Sequence, residues 1–156
     1  MILIYTINDQ MLSFFNKNII IQQVNFQDIQ KVIHNDNYIL INTMDVDKQQ
    51  CLIWKTLSIS EETSIVNSLI ENYRYDRDIV VYGMNCNDET VDNKIDQLKK
   101  IGFRHLYIYR GGMFEWLCLQ DIYSHELFPT NKKELDILKY KPDTQLNKLY
   151  ITDGID

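Results

Sequence analysis

A chain of 156 residues, 45% hydrophobic and 24% charged, has the length and balance of one globular domain around one core. Its net charge of −6 would repel a phosphate backbone and its lysines and arginines form no long cluster, so nucleic acid is not expected as a partner. Apolar residues come in short runs rather than in spans of about eighteen or more, which predicts no transmembrane helix and no membrane partner.

In chain order, Ile2 to Ile7 alternates enough for a short strand, and Asp9 to Phe15 reads as a helical turn or a second edge element. The opening Met1 to Asp9 has no basic segment and no small-residue cleavage site, so it does not read as a secretory signal and predicts a cytoplasmic protein. Ile19 to Gln22 is a β-branched run. Asn25 can cap a helix that carries Phe26, Ile29, Val32 and Ile33 on one face, and Asn35-Asp36-Asn37 breaks it. Tyr38 to Asn42 is a continuous apolar strand of the kind buried on both faces of a parallel sheet, expected near the sheet's centre.

Asp45 to Gln50 is a polar loop, and Cys51 to Trp54 a short strand or turn. Ser58 or Ser60 can cap a helix from Glu61 to Asn72 that turns Ile65, Leu69 and Ile70 inward. Asp76-Arg77-Asp78 reads as a solvated turn, and Ile79 to Tyr82 is the clearest buried strand. After the loop Gly83 to Asp88 comes a helix from about Glu89 to Lys100 presenting Val91, Ile95 and Leu98, which Gly102 ends. Leu106 to Tyr109 is a strand, Arg110-Gly111-Gly112 a turn, and Met113 to about Tyr123 a helix with Trp116 in the core. Beyond Phe128-Pro129-Thr130 the chain is charged, with Leu135, Ile137 and Leu138 as one small apolar patch.

Strands alternating with helices across short loops specify an α/β domain, a mainly parallel central sheet with helices on both faces. The expected division is an N-terminal extension at 1–18, the domain at 19–130 and a C-terminal tail at 131–156.

Cys51, Cys86 and Cys118 are an odd number without C-x-x-C spacing, which predicts reduced thiols, no disulfide framework and no structural zinc. His34, His105 and His125 are scattered, and neither a metal nor any other cofactor is expected. Ligands of such sheets sit beyond the carboxyl ends of the strands, where loops meet helix N-termini. The candidate site is therefore the loop Gly83, Met84, Asn85, Cys86, Asn87 and Asp88. The field of a helix N-terminus would favour a thiolate or oxyanion there, and Cys86 is placed to feel it. The alternative is that Asn87 or Asp88 caps the helix while Cys86 packs as a small hydrophobe.

The stretch Ile79-Val-Val-Tyr, a loop, a helix and then Ile101-Gly-Phe-Arg-His-Leu-Tyr-Ile-Tyr-Arg-Gly-Gly-Met-Phe-Glu-Trp116 resembles the second half of a rhodanese-like domain. In that family a buried strand runs into the active loop, followed by a helix, Gly-Phe or Gly-Tyr, a strand, Gly-Gly, and a Trp four residues past the second Gly. Gly102, Phe103, Gly111, Gly112 and Trp116 keep that spacing. Upstream, Tyr38 to Thr43 is similar to the family's apolar strand, although Asn42 and Met44 replace its closing acidic residue and Arg. Cys51-Leu-Ile-Trp-Lys matches the next motif in position alone. The resemblance spans residues 19–130. The wording Tyr-Gly-x-Asn-x-Asn-Asp and Gly-Gly-Met-Phe-Glu-Trp, with the later Phe-Pro-Thr, resembles a divergent subgroup of protists and large DNA viruses. The chain also lacks alanine and leans on Ile, Asn, Asp and Lys, the residues of AT-rich codons.

The family's sulfur transfer implies a cysteine as the first loop residue, cradled by loop N–H groups, with an Arg at the loop's end. Anchored on the strand, that position falls on Gly83. Anchored on the helix and Gly102, it falls on Asn85, because the loop is about two residues longer than the common form. Neither supplies a thiol, and the loop holds no Arg. The Cys and Arg of the related cell-cycle phosphatases are missing as well. The expected function is a catalytically inactive rhodanese-like binding or regulatory module, with an unidentified protein partner, in a host cytoplasm or virion. The alternative is a sulfurtransferase or redox-responsive protein that uses Cys86 as a persulfide-forming thiol. An exposed edge strand such as Ile2 to Ile7 could pair with its own copy, which predicts a homodimer.

Overall fold

The computed structural model describes residues 19–146, so the elements expected over Ile2 to Ile7 and Asp9 to Phe15 lie outside the described residues. Four strands, β1 (Ile20–Val24), β2 (Tyr38–Asn42), β3 (Asp78–Tyr82) and β4 (His105–Tyr109), form one parallel sheet in the order β1-β4-β3-β2. Between and after them run α1 (Phe26–Val32), α2 (Ile59–Glu71), α3 (Thr90–Ile101) and α4 (Gly112–Ile122). No described helix is long and apolar enough to cross a membrane.

The helices begin where local chemistry starts them. Asn25 accepts from the N–H groups of Gln27 and Asp28 while Asp28 accepts from the N–H of Asn25, a reciprocal cap on α1. Ser58 and Glu61 build the same box on α2, each box worth about 1 kcal/mol. At the other end of α3, Gly102 takes a φ of 120°, a region that favours glycine, and reverses the chain into β4.

The apolar runs of the strands split by alternation. Ile39 and Ile41, Ile79 and Val81, Leu106 and Ile108 face Val91, Ile95 and Leu98 of α3. Leu40, Val80, Tyr82 and Tyr109 face the opposite core, with Ile29 of α1 and Met113, Trp116 and Leu117 of α4. Trp116 is fully buried, stacks edge-on to Phe128 at 5.0 Å and donates its indole N–H to the Pro129 carbonyl. Cys118 is only half-buried, one step off that face.

Two expectations need correction. β2 is not central: it pairs with β3 alone, and its other edge is covered by an irregular segment in which the Leu57 N–H donates to the Leu40 carbonyl at 3.0 Å. The apolar run required burial on both faces, and helices provide that without a second strand neighbour. Asp78 is not in the turn expected over Asp76 to Asp78 but opens β3, paired with His105 of β4, whose Nδ1 lies 3.2 Å from its carboxylate.

The C-terminal segment is anchored by a residue that pattern reading passed over. Tyr140 is fully buried, in a short 3-10 turn (Ile137–Tyr140), and its hydroxyl donates to the Lys48 carbonyl. Of the expected patch, Ile137 packs against the core, whereas Leu135 and Leu138 are exposed. The Cys51 thiol donates to Lys132 O at 3.0 Å, and the Asn131 side chain accepts from the Leu52 N–H, so residues 131–140 are stitched to the 48–54 stretch.

Candidate functional site

The register puts Asn42, Tyr82, Tyr109 and Val24 in one rank at the carboxyl end of the sheet. The loop Gly83 to Asp88 leaves β3 from the interior of that rank and enters α3, the place where open parallel sheets collect ligands. α4 supports it from the side. The Met113 and Phe114 N–H groups, at the start of α4, donate to the carbonyls of Gly83 (3.0 Å) and Met84 (2.8 Å). That docking needs Gly112, whose φ is 62° and whose added Cβ would fall 2.6 Å from Gly83 O and 2.9 Å from Asn85 N.

At the start of α3, Asp88 turns its carboxylate back onto the loop. One carboxylate oxygen accepts from the Met84 N–H at 2.8 Å; the other accepts from the Thr90 N–H at 3.0 Å and from the Thr90 hydroxyl. The Thr90 hydroxyl also lies 2.7 Å from that of Thr43, just past β2. The fit is tight: a Cβ on Gly83 would stand 2.3 Å from the same carboxylate. Asn85 completes the loop. Its Oδ1 accepts from the Asn87 N–H, and its Nδ2 donates to the Tyr140 carbonyl at 2.9 Å, tying the loop to the C-terminal segment. A helix N-terminus whose first N–H already holds a carboxylate has less field left for a second anion.

A cleft of about 350 Å³ opens beside the loop, lined on one side by Met84, Asn85, Asn87 and Asp88 and on the other by Lys141, Asp143 and Gln145. Asp45, Asp88, Glu89 and Asp143 against Lys141 give its lining an acidic balance. Cys86 is exposed but is not among the residues that line this cleft; its thiol lies 3.7 Å from the Asn87 side-chain oxygen. The structure therefore brings Asn85, Asn87 and Asp88 together around the cleft and leaves Cys86 exposed, outside its lining.

The other two thiols are less exposed. Burial pushes the Cys51 thiol up, and burial with the nearby Asp121 and Glu115 carboxylates does the same to Cys118. The guanidinium nearest the loop in sequence after β4, Arg110, binds both oxygens of Asp92 on α3 and holds that carboxyl below its ordinary value. Nothing local in the sequence flagged that pairing, since the two residues are 18 apart. Tyr82 is buried with its hydroxyl 2.8 Å from the Thr56 hydroxyl, and burial raises its phenol far above the ordinary range. No group of three or more potential metal ligands is assembled among the described residues.

Neither a protein-family model nor a curated protein sequence matches the chain. Solved structures do. The BH2092 protein from Bacillus halodurans is 15% identical over 92% of this chain and 98% of that one, with a TM-score of 0.54. The Alr3790 protein from Anabaena sp. is 18% identical over 73% and 83%, with a TM-score of 0.50. The rhodanese-like domain of Alr3790, solved separately in solution, is 19% identical over 79% and 86%, with a TM-score of 0.49. The fold is that of rhodanese-like domains.

Proposed function

We propose that this chain is a rhodanese-like module that binds a protein partner and does not transfer sulfur. The observation that carries the reading is the Asp88 carboxylate, which takes up the Met84 and Thr90 N–H groups, donors of the kind that cradle the thiolate in the sulfurtransferases this chain resembles. A persulfide-forming thiolate needs those donors to lower its pKa and to share its charge. With Gly83 and Asn85 at the two candidate nucleophile positions and Arg110 bound to Asp92, the loop has no thiol at either position and no cation of its own to steady an anionic donor. The same gap argues against phosphatase chemistry, and no release of phosphate from an aryl phosphate is expected. The sequence wording and the AT-rich residue usage support a place in the protist and large DNA virus subgroup, acting in the cytoplasm or a virion.

A second reading, a sulfurtransferase or redox-responsive protein using Cys86, is favoured by one observation, the exposure of that thiol at the loop's tip. Intact-mass measurement after incubation with thiosulfate separates the two. The binding-module reading expects no added sulfur on either wild type or Cys86→Ser. A gain of one sulfur atom that disappears in Cys86→Ser would replace it with the second reading. Light scattering on the purified chain tests the proposed homodimer.

A further inference from the structure

The helix α2 covers the sheet without closing on it. Over thirteen residues it fully buries no side chain, although its apolar face, Ile65, Val66, Leu69 and Ile70, points the right way. A helix laid over a sheet ordinarily buries that stripe. Here a cleft of about 430 Å³ remains between Ile65 and Leu69 of α2, the edge strand β2 at Ile39 and Leu40, and the covering segment at Leu57. Its floor is aliphatic and its volume falls in the range of small-molecule sites.

The mouth is basic in a chain that is otherwise acidic. Lys55, Arg74 and Arg77 line it against two acids, Asp36 and Glu61, and both acids are engaged. Glu61 accepts from the N–H and hydroxyl of Ser58 in the α2 cap. Asp36 is bound by the Lys55 ammonium at 2.6 Å, which holds its carboxyl below the ordinary value, with a smaller effect from Arg77. Arg74 is drawn to Asp76, 3.3 Å away. Arg77 is half-buried and donates one N–H to the Asp36 backbone carbonyl, with no carboxylate in ion-pair contact among the described residues. A fork of guanidinium donors is thus held at the rim of an aliphatic slot.

From the underfilled aliphatic cleft and the half-buried guanidinium at its rim, we infer that the space between α2 and β2 is a binding site for a small amphipathic monoanion. An aliphatic or aryl carboxylate or sulfonate fits, its apolar body against Ile39, Leu57, Ile65 and Leu69 and its charge on Arg77. Apolar burial supplies the affinity, and the fork selects the anion. The site lies off the loop Gly83 to Asp88, so it stands whether or not the proposed function does.

The test is a fluorescence titration of the full chain with anilinonaphthalene sulfonate, in parallel with phenylnaphthylamine, which has the same rings and no charge. One saturable site for the sulfonate is expected, displaced by octanoate and not by acetate. Arg77→Gln should weaken the sulfonate about tenfold and leave phenylnaphthylamine unchanged. Leu69→Trp, which fills the slot, should abolish binding of both dyes while circular dichroism still reports a folded chain. Cys86→Ser should alter neither titration. Absence of saturable binding to wild type would overturn the inference, as would full sulfonate affinity in folded Leu69→Trp. Equal sulfonate affinity in wild type and Arg77→Gln would overturn the assignment of the anion to Arg77.

Discussion

Replacing Asp88 by alanine removes the anion that the loop keeps for itself, and the consequences can be worked from its bonds. The Thr90 N–H loses its cap acceptor, a loss of about 1 kcal/mol. The partly buried Met84 N–H is left unmatched, for about another 1 kcal/mol. A total of about 2 kcal/mol lowers the melting temperature of a domain this size by about 4–8 °C. The same change empties an anion-shaped cradle at the α3 N-terminus. Inorganic phosphate at about ten times its dissociation constant should then return about 1.4 kcal/mol to the variant and nothing to wild type, by mass action. Thermal unfolding followed by circular dichroism, with chloride adjusted to constant ionic strength, reads both effects. A melting temperature unchanged by Asp88→Ala, or equal stabilisation of both proteins by phosphate, would refute the claim that Asp88 occupies the cradle.

Gly112→Ala, which forces a Cβ into a left-handed backbone and onto Gly83 O, should destabilise by about 3 kcal/mol in urea unfolding. Tyr140→Ala should cost about 3–5 kcal/mol, whereas Leu135→Ala and Leu138→Ala should stay within about 0.5 kcal/mol, since only the first side chain is buried. With Ellman's reagent, Cys86 should react in one fast phase, well ahead of half-buried Cys118 and buried Cys51. Burial raises the phenols of Tyr82, Tyr109 and Tyr140, the last to about 12. A raised acid favours the folded state fully below the unfolded value of 10.0, and that stability is lost as pH climbs from there toward the folded value. Their phenolate absorbance should therefore appear together with alkaline unfolding; ionisation of all ten tyrosines while the chain stays folded would contradict this.

The buried strands and the helix starts were legible because each rests on neighbours in sequence. The run Ile79 to Tyr82 needs only its own apolar side chains, and the boxes at Asn25 and Ser58 need a partner three residues on. The position of β2 was not legible. A continuous apolar run demands cover on both faces but says nothing of which strands lie beside it, and Thr56 and Leu57, which close its edge, carry no strand pattern.

At the site, the capping tendency of Asp88 was readable from its place just before α3. What the carboxylate reaches was not: its bond to the Met84 N–H depends on how the loop folds over Gly83. Tyr140 was missed for the same reason. A lone aromatic between charged residues announces no burial until Lys48, Asn85 and α4 come together around it. The Arg110–Asp92 pair likewise joins the β4 turn to α3 only in three dimensions.

The most direct test of the central claim is thiocyanate formation from thiosulfate and cyanide. A loop that keeps Asp88 on its N–H groups predicts a rate equal to the buffer blank for wild type. Turnover above the blank that vanishes in Cys86→Ser would contradict it.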